Sequence, residues 1–264
     1  MTVAVVIPAL NEEGNIGRLV DETFRAIPPE LLGEVIVIDD GSSDGTGREV
    51  KELMSRYPRL RYIRHQGRSG QSAAVRTGVL AAQSPVIATM DGDGQNDPAD
   101  IPKLLKKLGT PGQSGPALVG GIRVNRKAKG SRQLASKLGN AIRQAILKDN
   151  CPDSGCGIKV FWREAFLRLP FFTSMHRFNP ALFLIYGHEV DYHPVNDRPR
   201  RAGSSKYTNF SRALIGAYDM IGIVWLRRRT RIPRIEEDSL EVARLSEAAA
   251  RRGGQAMARS ELSR

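Results

Sequence analysis

A chain of 264 residues with 41% apolar and 26% charged side chains can bury one sizeable core, and its composition excludes a disordered or fibrous protein. Its formal charge of +12 is lopsided: residues 1–100 carry 10 Lys+Arg against 15 Asp+Glu, and residues 101–264 carry 30 against 13. An acidic half followed by a basic one predicts two tasks, the second directed at an anion such as nucleic acid, an anionic membrane or a phosphorylated substrate.

The chain opens on Val3–Ile7, an apolar run cut by Pro8 and without a basic flank, which reads as a strand and not as a signal peptide. Asn11-Glu12-Glu13 opens a helix with Ile16, Leu19, Val20 and Phe24 on one face. Val35–Ile38 is a second buried strand ending in Asp39-Asp40-Gly41, and the turn 42–46 caps a helix carrying Val50, Leu53 and Met54. A short strand over 60–64, a small-residue helix over 72–82 and a strand over 85–90 follow. Asp91-Gly92-Asp93-Gly94-Gln95 comes next, and Pro98 begins a helix backed by Ile101, Leu104, Leu105 and Leu108. Repeated βα units of this length predict a doubly wound, mostly parallel sheet with helices on both faces.

After residue 114 the chain is glycine-rich and basic. A helix is expected over 132–147 and an amphipathic helix over 209–228, with a charged tail beyond 236. The two cysteines, Cys151 and Cys156, are too few for a disulfide framework or a zinc set, which predicts a reducing, cytoplasmic setting. No apolar stretch reaches the ~20 residues that span a bilayer.

In an open α/β sheet the ligand lies beyond the carboxyl ends of the strands. Three strands here end in polar clusters: Pro8–Glu12, Asp39-Asp40 and Asp91-Gly92-Asp93. Asp and Gly are also ordinary turn formers, but three such clusters on successive strand ends point to one polar site. At an extended strand end, Asp91, Asp93 and Gln95 would present three oxygens to one side, a set suited to Mg²⁺ bridging substrate phosphates. A calcium loop fits less well, because the Gly at position 6 and the Glu at position 12 are missing.

Val6-Ile7-Pro8-Ala9-Leu10-Asn11-Glu12, Val37-Ile38-Asp39-Asp40-Gly41-Ser42, Gly67-Arg68-Ser69-Gly70 and Asp91-Gly92-Asp93-Gly94-Gln95 resemble the family 2 glycosyltransferases, in particular their dolichol-phosphate and polyprenyl-phosphate branch. The resemblance covers about residues 3–230. It implies a nucleotide-diphospho-sugar transferase (GT-A-like) fold. The implied activity is metal-dependent, inverting transfer of one sugar from a nucleotide-sugar to a polyprenyl phosphate at the cytoplasmic membrane face. By the same resemblance Pro8, Leu10, Glu12, Asp39, Gly92 and His176 would bind the donor, and Asp91, Asp93 and Gln95 would hold Mg²⁺ or Mn²⁺. Leu10 stands where the family often has an aromatic. On the acceptor side Arg123, Arg132, Ser136, Arg200 and Lys206 look like the family's phosphate-binding segments, with Asp93 also in the catalytic set. Arg132 and Ser136 are an i, i+4 pair able to reach one phosphate.

These readings divide the chain into a catalytic domain at 1–208, with a donor half (1–113) and an acceptor half (114–208), a helix at 209–235 and a mobile tail at 236–264. Leu214, Ala217, Tyr218, Ile221, Val224 and Trp225 share a stripe on that helix, flanked by Arg212 and Arg227–Arg229. The stripe suits a membrane interface, a small integral membrane partner or the protein's own core. Two other functions compete: a family 2 enzyme acting on a lipid-linked oligosaccharide, polysaccharide or protein, and a basic nucleic-acid-binding module. A neutral hydroxyl acceptor would need a carboxylate base rather than a set of cations. The second alternative rests on pI alone, since aromatics are few and no nucleic-acid motif is present.

Overall fold

The computed structural model describes residues 1–110, 114–124, 141–199 and 209–233, with the backbone alone over 209–215. The chain parts into two compact units, Met1–Thr230 and Arg231–Arg264. The first holds the sheet and its helices, and the expected tail at 236–264 lies outside the described residues.

Its centre is a seven-stranded sheet, β1 (Val3–Ala9), β2 (Leu32–Asp39), β3 (Leu60–Arg64), β4 (Val86–Thr89), β5 (Leu118–Val124), β6 (Lys159–Trp162) and β7 (Val190–Asn196), in the order β3-β2-β1-β4-β6-β5-β7. The pairs β1–β2, β1–β4, β2–β3 and β5–β7 are parallel, whereas β6 runs antiparallel to both β4 and β5. The sheet is therefore mostly parallel, as its repeated βα units predict, with β6 as the reversed strand.

Two apolar layers clasp the sheet because β1 alternates sides. Val3, Val5, Ile7 and Ala9 pack with α1 (Ile16–Ala26), α2 (Thr46–Met54) and α4 (Ile101–Lys107). Ala4 and Val6 pack with α3 (Gln71–Ala81), the helical residues 141–147 (α5), α6 (Arg163–Leu167), α7 (Asn179–Ile185) and α8 (Asn209–Arg229). Helix α1 starts later than its Asn-Glu-Glu signal suggests. Asn11 and Gly14 take positive φ values of 50° and 82°, so residues 11–14 turn and the helix opens only at Ile16.

Phe161 on β6 is fully buried, 5.0 Å from the ring of Phe166 and 5.9 Å from that of Phe183. It joins the reversed strand to α6 and α7. Phe161→Ala is expected to cost about 3–5 kcal/mol, read from the denaturant midpoint. A loss under about 1 kcal/mol would mean that the layer closes over the hole.

Candidate active site

Strand order reverses between β1 and β4, because β2 and β3 lie to one side of β1 and β4 to the other. At such a switch point the strand ends splay into a crevice. Pro8 and Asp91 meet there and line one cavity of about 300 Å³ with Gln71, Ser72, Lys159 and His176. Gly92 is buried beneath them, and a Cβ on it would lie 3.0 Å from the Pro8 carbonyl, so a side chain there would push the two strand ends apart.

The acidic cluster departs from its expected geometry. Residues 91–95 are a turn and not an extended strand end: Gly94 has φ +73°, the Asp91 N–H donates to Asn96 Oδ1 at 3.0 Å, and the Gln95 N–H donates to Asp93 Oδ1 at 3.1 Å. The three side chains consequently diverge. Asp91 faces the first cavity and accepts from Gln71 Nε2 at 2.7 Å. Asp93, 8% exposed, lines a second cavity of about 530 Å³ with Arg18, Glu22 and Arg198. Gln95 donates its amide to the Arg198 carbonyl at 3.3 Å.

Asp91 and Asp93 still feel each other. Burial pushes the Asp91 carboxyl up to about 6, the Asp93 charge adds to the rise, and Lys159, Arg123 and the Gln71 hydrogen bond oppose it. Two carboxylates on one turn with cations nearby suit a divalent ion that completes its shell from phosphate oxygens and water. Among the described residues no group of three His, Cys, Asp or Glu side chains gathers that could hold an ion by itself. The donor set fits Mg²⁺ or Mn²⁺ shared with a ligand.

Asp39 ends β2 with no exposed surface. Its carboxylate accepts from the Ser42 N–H at 2.7 Å and the Tyr62 hydroxyl at 2.5 Å. Burial works to raise its pKa, but these hydrogen bonds and the Arg64 charge outweigh it and hold it below the usual carboxylate value. Tyr62 moves the other way, to about 12, through burial and then its bond to Asp39. Leu10 and Glu12 are half-buried on the loop after β1, where the Glu12 N–H donates to Thr46 Oγ1 at 2.8 Å.

Arg123 ends β5 in a bidentate pair with Asp153, Nε to Oδ2 at 2.7 Å and Nη2 to Oδ1 at 2.8 Å. The pair raises its pKa further, so it is a fixed cation whose charge reaches Asp91. His176 Nδ1 lies 2.7 Å from Ser72 Oγ on the cavity wall. Arg132, Ser136, Arg200 and Lys206 lie outside the described residues. Sequence reasoning passed over Lys159, although a lone lysine inside Ile158-Lys159-Val160-Phe161 is a visible oddity. It also passed over Arg198, which bridges Glu22 at 2.5 Å and Asp97 at 2.7 Å beside Asp93.

The fold and this site define a transferase of the nucleotide-diphospho-sugar type. Residues 4–169 match the model of glycosyl transferase family 2, and the chain belongs to that family. It is 31% identical over 233 residues to a dodecaprenyl-phosphate galacturonate synthase of Rhizobium johnstonii, an alignment covering 86% of this chain and 68% of that one. Among solved structures it is similar to the glucosyl-3-phosphoglycerate synthase of Mycobacterium tuberculosis with Mn²⁺, uridine diphosphate and glucosyl-3-phosphoglycerate, with a TM-score of 0.62. The same enzyme with Mg²⁺ and uridine diphosphate gives 0.61. Both match at 20% identity, covering 86% of this chain and 79% of theirs. The chain is a glycosyltransferase of the GT-A-like fold.

Gly157 tests how tightly Asp91 is held, because a Cβ there would overlap the Asp91 carboxylate. Gly157→Ala should cut turnover by about 10²-fold while the melting temperature stays near wild type. Unchanged turnover would mean that Asp91 can move without consequence.

Proposed function

We propose that the protein transfers one sugar from a nucleotide diphosphate donor to a polyprenyl phosphate at the cytoplasmic face of a membrane. The observation that carries this reading is the Asp91/Asp93 pair at the switch point, opposed by Lys159 and Arg123. The Rhizobium relative's name, with its polyprenyl phosphate, supports the acceptor, and the ions in the mycobacterial structures' titles support the metal.

In this reading the donor half, 1–113, seats the nucleotide against Pro8, Leu10, Glu12, Asp39, Gly92 and His176. Asp91 and Asp93 hold Mg²⁺ or Mn²⁺ together with ligand oxygens, and Gln95, turned to the Arg198 carbonyl, does not join them. Asp39 is fixed at the end of β2 by the Ser42 N–H and the Tyr62 hydroxyl. When bound, the ion supplies charge neutralisation for the departing diphosphate. The acceptor half, 114–208, presents Arg123, Arg132, Ser136, Arg200 and Lys206 to the lipid phosphate. A phosphate monoester has its second pKa near ~6 and is already a dianion at neutral pH, so it needs cations and alignment more than a base.

A screen of nucleotide-sugars with Mg²⁺ or Mn²⁺ against a short polyprenyl phosphate, read by mass spectrometry, should yield a glycosyl phosphate. Product only on a hydroxyl acceptor would favour the alternative family 2 acceptors. Asp93→Asn should abolish transfer with thermal unfolding nearly unchanged, and chelator should do the same to the wild type. Full activity in chelator would remove the metal from the mechanism.

Among the described residues no helix is long and apolar enough to cross a membrane, and this reading gives the enzyme a peripheral attachment beside its lipid acceptor. Helix α8 offers it through one of two faces. Ile223 is buried, with Met220 and Leu226 packed on the core, while Tyr218, Ile221 and Trp225 are 78%, 70% and 63% exposed. Leu214, expected in the same stripe, and Arg212, expected to flank it, lie outside the described side chains. Of the basic flank, Arg227 is spent on the Ile146 and Leu147 carbonyls at the end of α5, where a cation meets the helix dipole. Arg228 and Arg229 stay exposed, each able to add about 1 kcal/mol near an anionic leaflet.

Reversible co-sedimentation with anionic vesicles is expected, weakening in high salt and further in Ile221→Asp, Trp225→Ser. Indifference of the wild type to such vesicles would favour docking on an integral membrane partner.

A further inference from the structure

We infer that the Asp91 cavity reads an acidic sugar, with Lys159 pairing the sugar carboxylate and Asn179 accepting a hydrogen bond from one of its hydroxyls. This deepens the proposed function and rests on it. Both side chains line the cavity and are more than nine-tenths buried, Lys159 at 6% exposure and Asn179 at 2%.

Asn179 identifies the kind of group that sits here. It is the first residue of α7, and its Oδ1 has no hydrogen-bond partner among the described residues. A buried acceptor left unpaired is unfavourable, and a ligand that donates to it removes the cost. The oxygens of an ionised phosphate or diphosphate only accept, so either anion against Oδ1 would set acceptor against acceptor. A hydroxyl donates. Of the groups brought to a glycosyl transfer, the sugar is the one dense in hydroxyls.

Lys159 adds the charge. It faces Thr89 across the β4–β6 pair, which places it at the strand end that leads into Asp91. Its ammonium carries three donors, and Nζ donates to the Cys156 carbonyl. Its nearby anion is Asp91, and a divalent ion seated on Asp91 would cancel that attraction. The other cation on the wall, Arg177, is drawn toward Asp219 of α8. With the ion in place, Lys159 is a buried positive charge beside the hydroxyl-bearing group, and a carboxylate on that group satisfies it. A carboxylate on the sugar gives the ammonium a directly paired counter-charge that a neutral sugar does not, which favours the acidic donor.

The test uses the full chain with Mn²⁺ and a short polyprenyl phosphate. Matched donors differ only in carboxylate against hydroxymethyl: UDP-galacturonate with UDP-galactose, UDP-glucuronate with UDP-glucose, and GDP-mannuronate with GDP-mannose. The wild type should favour the acid of one pair by at least roughly tenfold in kcat/KM. Lys159→Met should bring that ratio near one by losing the acid donor, Lys159→Arg should keep the preference, and binding of the bare nucleotide diphosphate by calorimetry should barely change. Asn179→Leu should lower kcat/KM for both members of the pair and leave nucleotide diphosphate binding intact.

Transfer of a neutral sugar in preference to every acid would overturn this inference and leave the proposed function standing. Transfer from no donor would overturn both. Equal loss of bare nucleotide diphosphate binding in Lys159→Met would assign Lys159 to the diphosphate, and a rise confined to the KM of the lipid would assign it to the acceptor phosphate. Either result overturns the inference.

Discussion

Burial of the Asp91 carboxyl, with Asp93 two residues on, is the constraint to which the rest of the site answers. A carboxyl raised to about 6, by burial first and then by the charge of its neighbour, is unfavourable as an anion unless positive charge is brought near. The chain brings it from several directions. Lys159 comes from the reversed strand β6, Arg123 from the end of β5 with Asp153 to fix it, and Gln71 donates from the start of α3. Small residues make the room, since Gly92 lies against Pro8 and Gly157 against the Asp91 carboxylate itself. Reversing β6 is what allows this. A strand entering from the far side of β4 sets its first residue, Lys159, beside the last of β4, where a further parallel strand would have set its own end.

The fold was legible because its signal is local. Apolar runs of strand length, spaced by helical stripes, gave β1 to β4 and their helices nearly residue by residue, and the polar strand ends pointed to the crevice. Tertiary partners are not local, and there the reading failed. Asp-x-Asp-x-Gln says nothing of Asn96 closing a turn back on Asp91, so three oxygens expected on one side diverge into two cavities and a loop. Arg123 gives no sign that Asp153, thirty positions on, grips it in a fork. Arg227 belongs by sequence to a basic run, yet it caps a helix about eighty residues earlier. Lys159 could have been found, because a charge inside an apolar strand must be paired or functional wherever the strand is buried.

Asp93 and Asp91 open on different cavities, and this bears on how an ion would work here. Asp91 and Asp93 would hold the ion, which would supply charge neutralisation for a bound diphosphate. The Asp93 side carries its own network, in which Arg198 holds Glu22 on α1 and Asp97 beyond the acidic turn. Burial works to raise Glu22 and Asp97, but the Arg198 pairing, together with Arg18 for Glu22 and the Ala99 N–H for Asp97, holds both below their ordinary values. The turn is thus tied to α1 by charges that remain ionised at neutral pH, which fixes Asp93 whatever binds at Asp91. Preorganisation of this kind matters for a reaction in which charge builds on a leaving diphosphate, since a carboxylate already in place need not be reordered as the bond breaks.

Helix α8 extends the same logic to the lipid. Its inner face is committed to the core through Ile223, and its outer face leaves Tyr218, Ile221 and Trp225 open. Between those faces Asp219 feels Arg177, which lines the cavity. The element with the exposed apolar stripe therefore carries a carboxyl within electrostatic reach of the wall of the site. On the proposed reading, in which the acceptor keeps its tail in a bilayer and offers its phosphate only at the headgroup plane, that adjacency is what the reaction asks for. A helix lying flat in the interface, with its apolar face about 5–10 Å deep, would bring the cavity wall to the depth at which a lipid phosphate resides. No part of the lipid would then have to leave the membrane for the phosphate to reach the sugar. The charge asymmetry of the sequence gains a physical reason on this reading: the basic half is the one that faces phosphate, on the acceptor and on the leaflet alike.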